Sequence, residues 1–175
     1  MVKALQKGDP KAQRYFYDKY AARMLAVCVR YLTDQMEAED VMISSFMKVF
    51  THLAAFENKG SFEGWMKKIT VNEALMYLRK SKMHFQELDN HHLAFGEEPN
   101  YDEKLEEKDV LNLLEILPVG YRTVLNLYDV EGYKHKEIAD LLGISINTSK
   151  SQLILARKKM RELIEKKLNI TNLKK

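Results

Sequence analysis

The stretch Glu131–Leu163, EGYKHKEIADLLGISINTSKSQLILARKKMREL, decides how the rest of the chain is read. Its apolar residues fall into two helical runs with a glycine between them. Ile138, Ala139, Leu141 and Leu142 supply the apolar face of the first run. Gly143 follows, and a residue free to turn left-handed ends such a helix without a steric penalty. Ser145 stands where an N-cap oxygen accepts from the first N–H groups of a second helix. Leu153, Ala156, Met160 and Leu163 recur at three and four residues, which is one helical stripe. Asn147, Thr148, Lys150 and Ser151 lie in the first turns of that helix, off the stripe. The pattern is a helix-turn-helix, whose second helix puts its N-terminal end into the DNA major groove. Polar side chains there meet base edges and phosphates. Arg157, Lys158, Lys159 and Arg161 make the rest of the helix basic.

Working outward, the chain has 175 residues, enough for one domain or two small ones. With 30% charged and 46% hydrophobic residues, its composition is that of a soluble globular protein. No solenoid-like repeat is evident, and no apolar run approaches a membrane span. The N-terminal MVKALQKGDPKAQ lacks the apolar core of a signal peptide, so a cytoplasmic protein is expected. Cys28 is the single cysteine and sits in the apolar run LAVCV, where a buried, inert thiol is expected. The net charge of +3 conceals an asymmetry. Lys82 to Asp109 holds 3 basic and 9 acidic residues, a balance of −6. From Lys134 onward 11 basic residues face 4 acidic ones. Two nucleic-acid-facing modules on an acidic connector would produce this pattern; so would a solvated helix face at each end.

Asp9-Pro10 opens a long helix to about Leu32, with Asp as N-cap and Pro at the first helical position. Tyr15, Phe16, Tyr20, Met24, Leu25, Val27, Cys28 and Tyr31 make it apolar enough to need partners on more than one side. Thr33-Asp34 breaks it, and Asp34 with Glu37 has capping-box spacing for a second helix reaching roughly Ala54. Val41, Met42, Phe46, Val49, Phe50 and Leu53 form its buried stripe. Gln35, Glu37, Glu39, Asp40, Ser44, Ser45 and Lys48 form its polar face. After the loop Phe56–Gly60, Ser61 caps a third helix, Phe62 to about Lys80. There Lys67, Lys68, Asn72, Arg79 and Lys80 lie among Phe62, Trp65, Met66, Ile69, Ala74, Leu75 and Leu78. An aromatic near a loop with lysines beside it suits the gripping of unstacked bases; Trp65 at that spacing also suits a helical core. Ser81 to Tyr101 has no helical period and reads as a linker. A helix from Asp102 follows, with Leu105, Val110, Leu113, Leu114 and Leu117 inward, then Pro118 and a helix Val119–Val130. The expected fold is all-α: two small helical domains, 1–82 and 102–175, joined by an acidic flexible linker at 83–101, the second a helix-turn-helix.

The chain offers little for catalysis. It has no phosphate-binding glycine loop, nucleophile elbow or HExxH motif. His84, His91 and His92 lie on the linker without a cysteine, a poor metal site, so no metal and no cofactor is expected. The working parts are binding surfaces, not an enzyme's active site.

Two separated stretches resemble one family. YDKYAARMLAVCVRYLTDQMEAEDVMISSFMKVFTHLAAF, continuing ENKGSFEGWMKKITVNEALMYLRK, is similar to the first domain of extracytoplasmic-function (ECF) sigma factors, which belong to the sigma-70 family. ILPVGYRTVLNLYDVEGYKHKEIADLLGISINTSKSQLILARKKMREL is similar to their −35-binding domain. The helix-turn-helix preceded by LP-x-x-x-R, with EAED-x-x-x-x-x-F and N-x-A-x-x-Y-L-R-K upstream in the right order, carries the resemblance. It implies a subunit that binds core RNA polymerase, recognises promoter DNA at −35 and −10, and promotes melting. It implies contact with the polymerase clamp through Asp34, Glu37, Asp40, Ser44 and Lys48. It assigns the −10 element to Phe56, Asn58, Lys59, Ser61, Trp65, Lys68, Asn72 and Arg79. It assigns the −35 element to Lys136, Ser145, Asn147, Thr148, Lys150, Ser151 and Arg157, with Lys150 and Arg157 on phosphates. An anti-sigma factor, often membrane-bound in the family, is the implied regulator; no small-molecule substrate is.

Two departures stand out. Ile43-Ser44 replaces a common Gln-Glu pair on the clamp-facing helix. Gln152 and Leu155 replace commonly basic positions of the recognition helix, so fewer phosphate contacts are expected there. A stand-alone helix-turn-helix regulator is the alternative, and it predicts tight duplex binding without polymerase. The first domain, with its Trp-bearing basic helix, favours the sigma factor.

Overall fold

In the computed structural model, described over residues 2–56, 60–81 and 107–172, every regular element is helical. The chain divides into two compact units, residues 1–83 and 84–175. The connecting stretch, with His84, His91, His92 and Leu105, lies outside the described residues, as do Asn58 and Lys59.

Unit one is built on α2 (Pro10–Tyr31), α3 (Gln35–His52) and α4 (Phe62–Lys80), each packed on the other two. A short α1 (Val2–Gln6), not evident in the sequence, packs on α2 and on the 3₁₀ turn Leu53–Ala55 that follows α3. Its Leu5 is buried, and the Gln6 amide donates to the Leu53 carbonyl. Local chemistry sets the helix starts. Asp9 accepts from the Lys11 N–H at 2.9 Å with Pro10 as first residue, and Asp34 accepts from the Glu37 N–H at 3.0 Å. Ser61 accepts from the Gly64 N–H. Each such cap is worth about 1 kcal/mol.

An aromatic cluster fills the centre of this unit. Phe16 is fully buried, with ring centroids of Tyr20, Phe46, Phe50 and Phe62 all within 6 Å of its own. Removing a ring of that kind costs about 3–5 kcal/mol, since the surrounding side chains only partly close the hole. Cys28, further along α2, is also buried, and burial pushes its thiol up to about 12, which leaves it inert. Two residues sit differently from the sequence reading. Tyr15 points to solvent, because α2 meets its partners through Phe16 and Tyr20. Ser45 is not on the polar face: it is fully buried, and its hydroxyl donates to the Val41 carbonyl, which satisfies it inside the core.

Unit two holds α5 (Glu107–Ile116), α6 (Val119–Leu125), α7 (His135–Leu142) and α8 (Ile146–Asn172). Leu113, Leu114, Leu117, Val124, Leu127, Ile138, Leu142, Leu153 and Ala156 form its core. Val110, expected inside, is exposed on α5. The helix expected to run unbroken to Val130 changes pitch: Asn126–Val130 is a π turn, closed by the Glu131 N–H on the Asn126 carbonyl. Gly143 ends α7 at φ +67°, the left-handed cap its place in the sequence requires. Ser145 then caps α8, accepting from the Thr148 N–H at 2.9 Å.

Candidate functional site

On α8 the helical spacing places Asn147, Lys150, Ile154, Arg157 and Arg161 on one face, at steps of three and four residues. The opposite face, through Leu153 and Ala156, enters the core. Asn147 and Lys150 are exposed, and among the described residues no bond engages their side chains. Ser145 and Thr148 are internally engaged: their hydroxyls meet at 2.8 Å, and Ser145 caps the helix. The Ser151 hydroxyl donates to the carbonyls of Asn147 and Thr148. Of the residues assigned to −35 DNA, Asn147 and Lys150 thus offer unengaged polar groups on α8. Lys136 is exposed in the first turn of α7. Ile154, which the sequence reading passed over, adds an exposed apolar side chain to the same face.

Gln152 overturns one expectation. It is fully buried, and a Cβ placed on Gly120 of α6 would lie 3.1 Å from its amide nitrogen. The position faces α6 and is closed to solvent, not on the exposed side of the recognition helix where the sequence reading set it. On α6 Arg122, the arginine of the LP-x-x-x-R motif, is buried with its guanidinium on the Glu115 carbonyl. Burial pulls Arg122 below its usual value, and the Glu115 carboxylate opposes that. The motif is therefore a packing signature of α6 against its neighbours.

A second cluster locks α7 and the π turn to α8. The His135 ring meets the Ser149 hydroxyl at 2.9 Å and stacks on Tyr128 at 4.6 Å. Ser149 is fully buried. Arg157 lies over the other partner, Tyr128, and forms an ion pair with Asp129. Burial lowers the His135 pKa, as do the charges of Lys150 and Arg157.

In unit one, Trp65, Lys68, Asn72 and Arg79 recur at three, four and seven residues and share one face of α4. Lys68 and Arg79 are exposed, Asn72 and Trp65 half-buried. Trp65 stacks on Phe62 at 5.6 Å and lies 5.3 Å from Phe56. Phe56 itself is only 8% exposed, so its ring supports the tryptophan instead of facing outward. Ser61 is the α4 cap. The structure thus yields an aromatic platform with cations along its helix, beside the loop that precedes α4.

The α3 residues divide likewise. Asp34 is the cap. Glu37 faces Tyr77 of α4, and the interaction of its carboxylate with the hydroxyl raises the tyrosine pKa, with burial and the charges of Asp34 and Asp40 adding to it. Lys48 pairs with Glu73 of α4. Asp40 and Ser44 remain exposed on the outer face. With them lies a seam that the sequence reading missed: Met36, Ile43 and Met47, exposed by 76%, 51% and 59%. Together with Asp40 they follow 4-3-4 spacing, the period of a coiled-coil seam. That spacing is visible in the sequence, where it is masked by the stronger buried stripe.

Comparison with known proteins now fixes the class. Sigma-70 region 2 matches residues 16–83, and Sigma-70, region 4 matches residues 107–160. The RNA polymerase sigma factor SigV of Bacillus subtilis is 31% identical over 134 residues, 75% of this chain and 78% of SigV. The ECF RNA polymerase sigma factor SigE of Mycolicibacterium smegmatis is 29% identical over 154 residues, 85% of this chain, and the matched region spans 60% of SigE. Among solved structures, the sigma factor RpoE from Bartonella quintana, in complex with the anti-sigma factor NepR, shares the fold. Its TM-score is 0.55 at 22% identity, covering 89% of this chain and 98% of RpoE. The chain belongs to the sigma-70 family, in its extracytoplasmic-function group. It is an RNA polymerase sigma factor, a DNA-binding initiation subunit and not an enzyme.

Proposed function

We propose a division of promoter recognition between the two units. The face of α8 with Asn147, Lys150, Ser151 and Arg157, and Lys136 at the start of α7, takes the −35 element. The face of α4 with Trp65, Lys68, Asn72 and Arg79 takes the −10 element, with Asn58, Lys59 and Ser61 at the preceding loop. The outer face of α3, through Asp40, Ser44 and the Met36–Ile43–Met47 seam, docks on the polymerase clamp. Asp34, Glu37 and Lys48 contribute by holding α3 in place. The working domains are 1–82 and 102–175, with 83–101 as linker. As a polymerase subunit the protein works in the cytoplasm.

The observation that carries this reading is the pairing of open Asn147 and Lys150 on a buried-backed helix in one unit with an aromatic platform in the other. A duplex is read by polar groups projecting into its groove, and an unstacked base is held on a ring. Flipping a base costs a few kcal/mol of stacking, which such a platform offsets. An anti-sigma factor is the expected antagonist, as NepR is the partner of RpoE, and the α3 seam is the surface for it to cover. The test combines purified chain with core polymerase on genomic template and sequences the 5′ ends of the transcripts. Starts sharing two upstream elements are expected. No chain-dependent transcripts across the genome would sink the reading.

A further inference from the structure

Arg157 shares the exposed face of α8 with Lys150, two turns further along the helix. That is the place for a cation on the DNA backbone, yet an anion already holds it. Its Nε donates to Asp129 Oδ2 at 3.1 Å and its Nη2 to Oδ1 at 2.5 Å, a two-pronged grip. The guanidinium also lies 5.7 Å from the Tyr128 ring centroid. The pair is open to solvent, with side chains 52% and 33% exposed. Asp129 comes from the π turn Asn126–Val130, so the grip joins that turn to α8. A carboxylate and a phosphate present the same fork of oxygens to a guanidinium, so they compete for one seat. Because the pair is solvent-exposed, a phosphate with the same fork of oxygens can reach the guanidinium and exchange for the carboxylate.

We propose that Asp129 is a built-in competitor of the DNA backbone for Arg157. The carboxylate holds the guanidinium, oriented over Tyr128, until a phosphate displaces it. The affinity of unit two for DNA is thereby kept below what its basic charge would give, and it leans on polymerase tethering. The inference rests on α8 being the DNA-binding helix.

Binding of the full-length chain to a short fluorescent duplex of mixed sequence, titrated with salt, tests it, because phosphate contacts do not depend on sequence. Asp129→Asn should bind roughly three- to tenfold tighter at low salt, because the phosphate no longer has to displace the carboxylate. In an Arg157→Gln background the same change should lose most of that gain. An undiminished gain there would mean simple removal of a negative charge and would overturn the proposal. Weaker or unchanged binding by Asp129→Asn, with its melting temperature retained, would show a purely structural pair and overturn it too. Asp129→Ser is read in the same way if the Asn variant does not fold. Lys150→Ala, run alongside, should bind more weakly. If it binds normally, the assignment of α8 to DNA fails first; if it binds weakly while Asp129→Asn shows no gain, only the competition fails.

Discussion

Asn147 and Lys150 stand one turn apart on α8, yet their loss should look different. An asparagine amide offers a donor and an acceptor to one adenine edge, worth about 1–3 kcal/mol of discrimination between bases. A lysine is a mobile point charge that favours any phosphate. Asn147→Ala should therefore change base preference at one −35 position, whereas Lys150→Ala should weaken all promoters alike and reduce the salt slope by about one. Equal losses across a randomised −35 library for Asn147→Ala would refute its base-reading role. His135 carries a separate prediction. Burial first, then the charges of Lys150 and Arg157, hold its pKa below the ordinary 6.5, while Tyr128 and Ser149 pack on the neutral ring. The unfolded chain then binds the proton more readily than the folded one. Stability from this group is full above 6.5 and falls as pH drops from there through the lower folded value. The unfolding free energy from denaturant titration should fall over that window, and His135→Gln should remove that part of the acid response. An identical acid response in the variant would rule His135 out.

At the scale of elements, α3 presents its buried stripe to α2 and α4 and its Met36–Asp40–Ile43–Met47 seam to solvent. Exposed apolar residues in such a row have no role in the folded core, so truncating them should leave folding intact. Ile43→Ser and Met47→Ser should each weaken assembly with core polymerase about tenfold, with the melting temperature unchanged, if the seam is a binding centre. Unchanged holoenzyme affinity in both variants would place the docking surface elsewhere. How these elements were legible follows from locality. Asp9, Asp34, Ser61, Gly143 and Ser145 act within a turn of themselves, and their roles as caps follow from spacing alone. Tyr15, Ser45, Val110 and Gln152 were misplaced because each depends on which neighbour covers it. A serine can look like surface until its hydroxyl finds the Val41 carbonyl, and a glutamine can look like a lost DNA contact until Gly120 makes room for it. The grip of Asp129 on Arg157 was invisible for the same reason. It joins residues 28 positions apart, through a π turn that no periodicity announces.

Across the whole molecule, two separately compact units act on one promoter through one polymerase. Basic charge on the two faces is offset: Arg157 is engaged by Asp129, and the connecting stretch from Lys82 to Asp109 carries a balance of −6. Weak contacts suffice when tethering raises the effective concentration of the second unit once the first is engaged. The two faces should nevertheless act at different steps. In the proposed role as a −10 platform, Trp65 meets only unstacked bases, so Trp65→Ala should leave duplex binding untouched and impair capture of the opened −10 strand. A lost stacking contact of about 1–3 kcal/mol corresponds to roughly a tenfold to hundredfold loss in open complex. Lys150→Ala should instead weaken the initial encounter, and higher promoter concentration should relieve it. Because the two residues share no packing partner in the described structure, their free-energy effects on open-complex formation should add to within about 0.5 kcal/mol in the double variant. Kinetics of open-complex formation by the four holoenzymes, on intact and on premelted promoters, measure this directly. On the premelted template the Trp65→Ala defect should persist in strand retention. A defect that appears instead in closed-complex binding, or a strongly non-additive double variant, would mean that α4 and α8 do not work as independent grips on the two ends of the promoter.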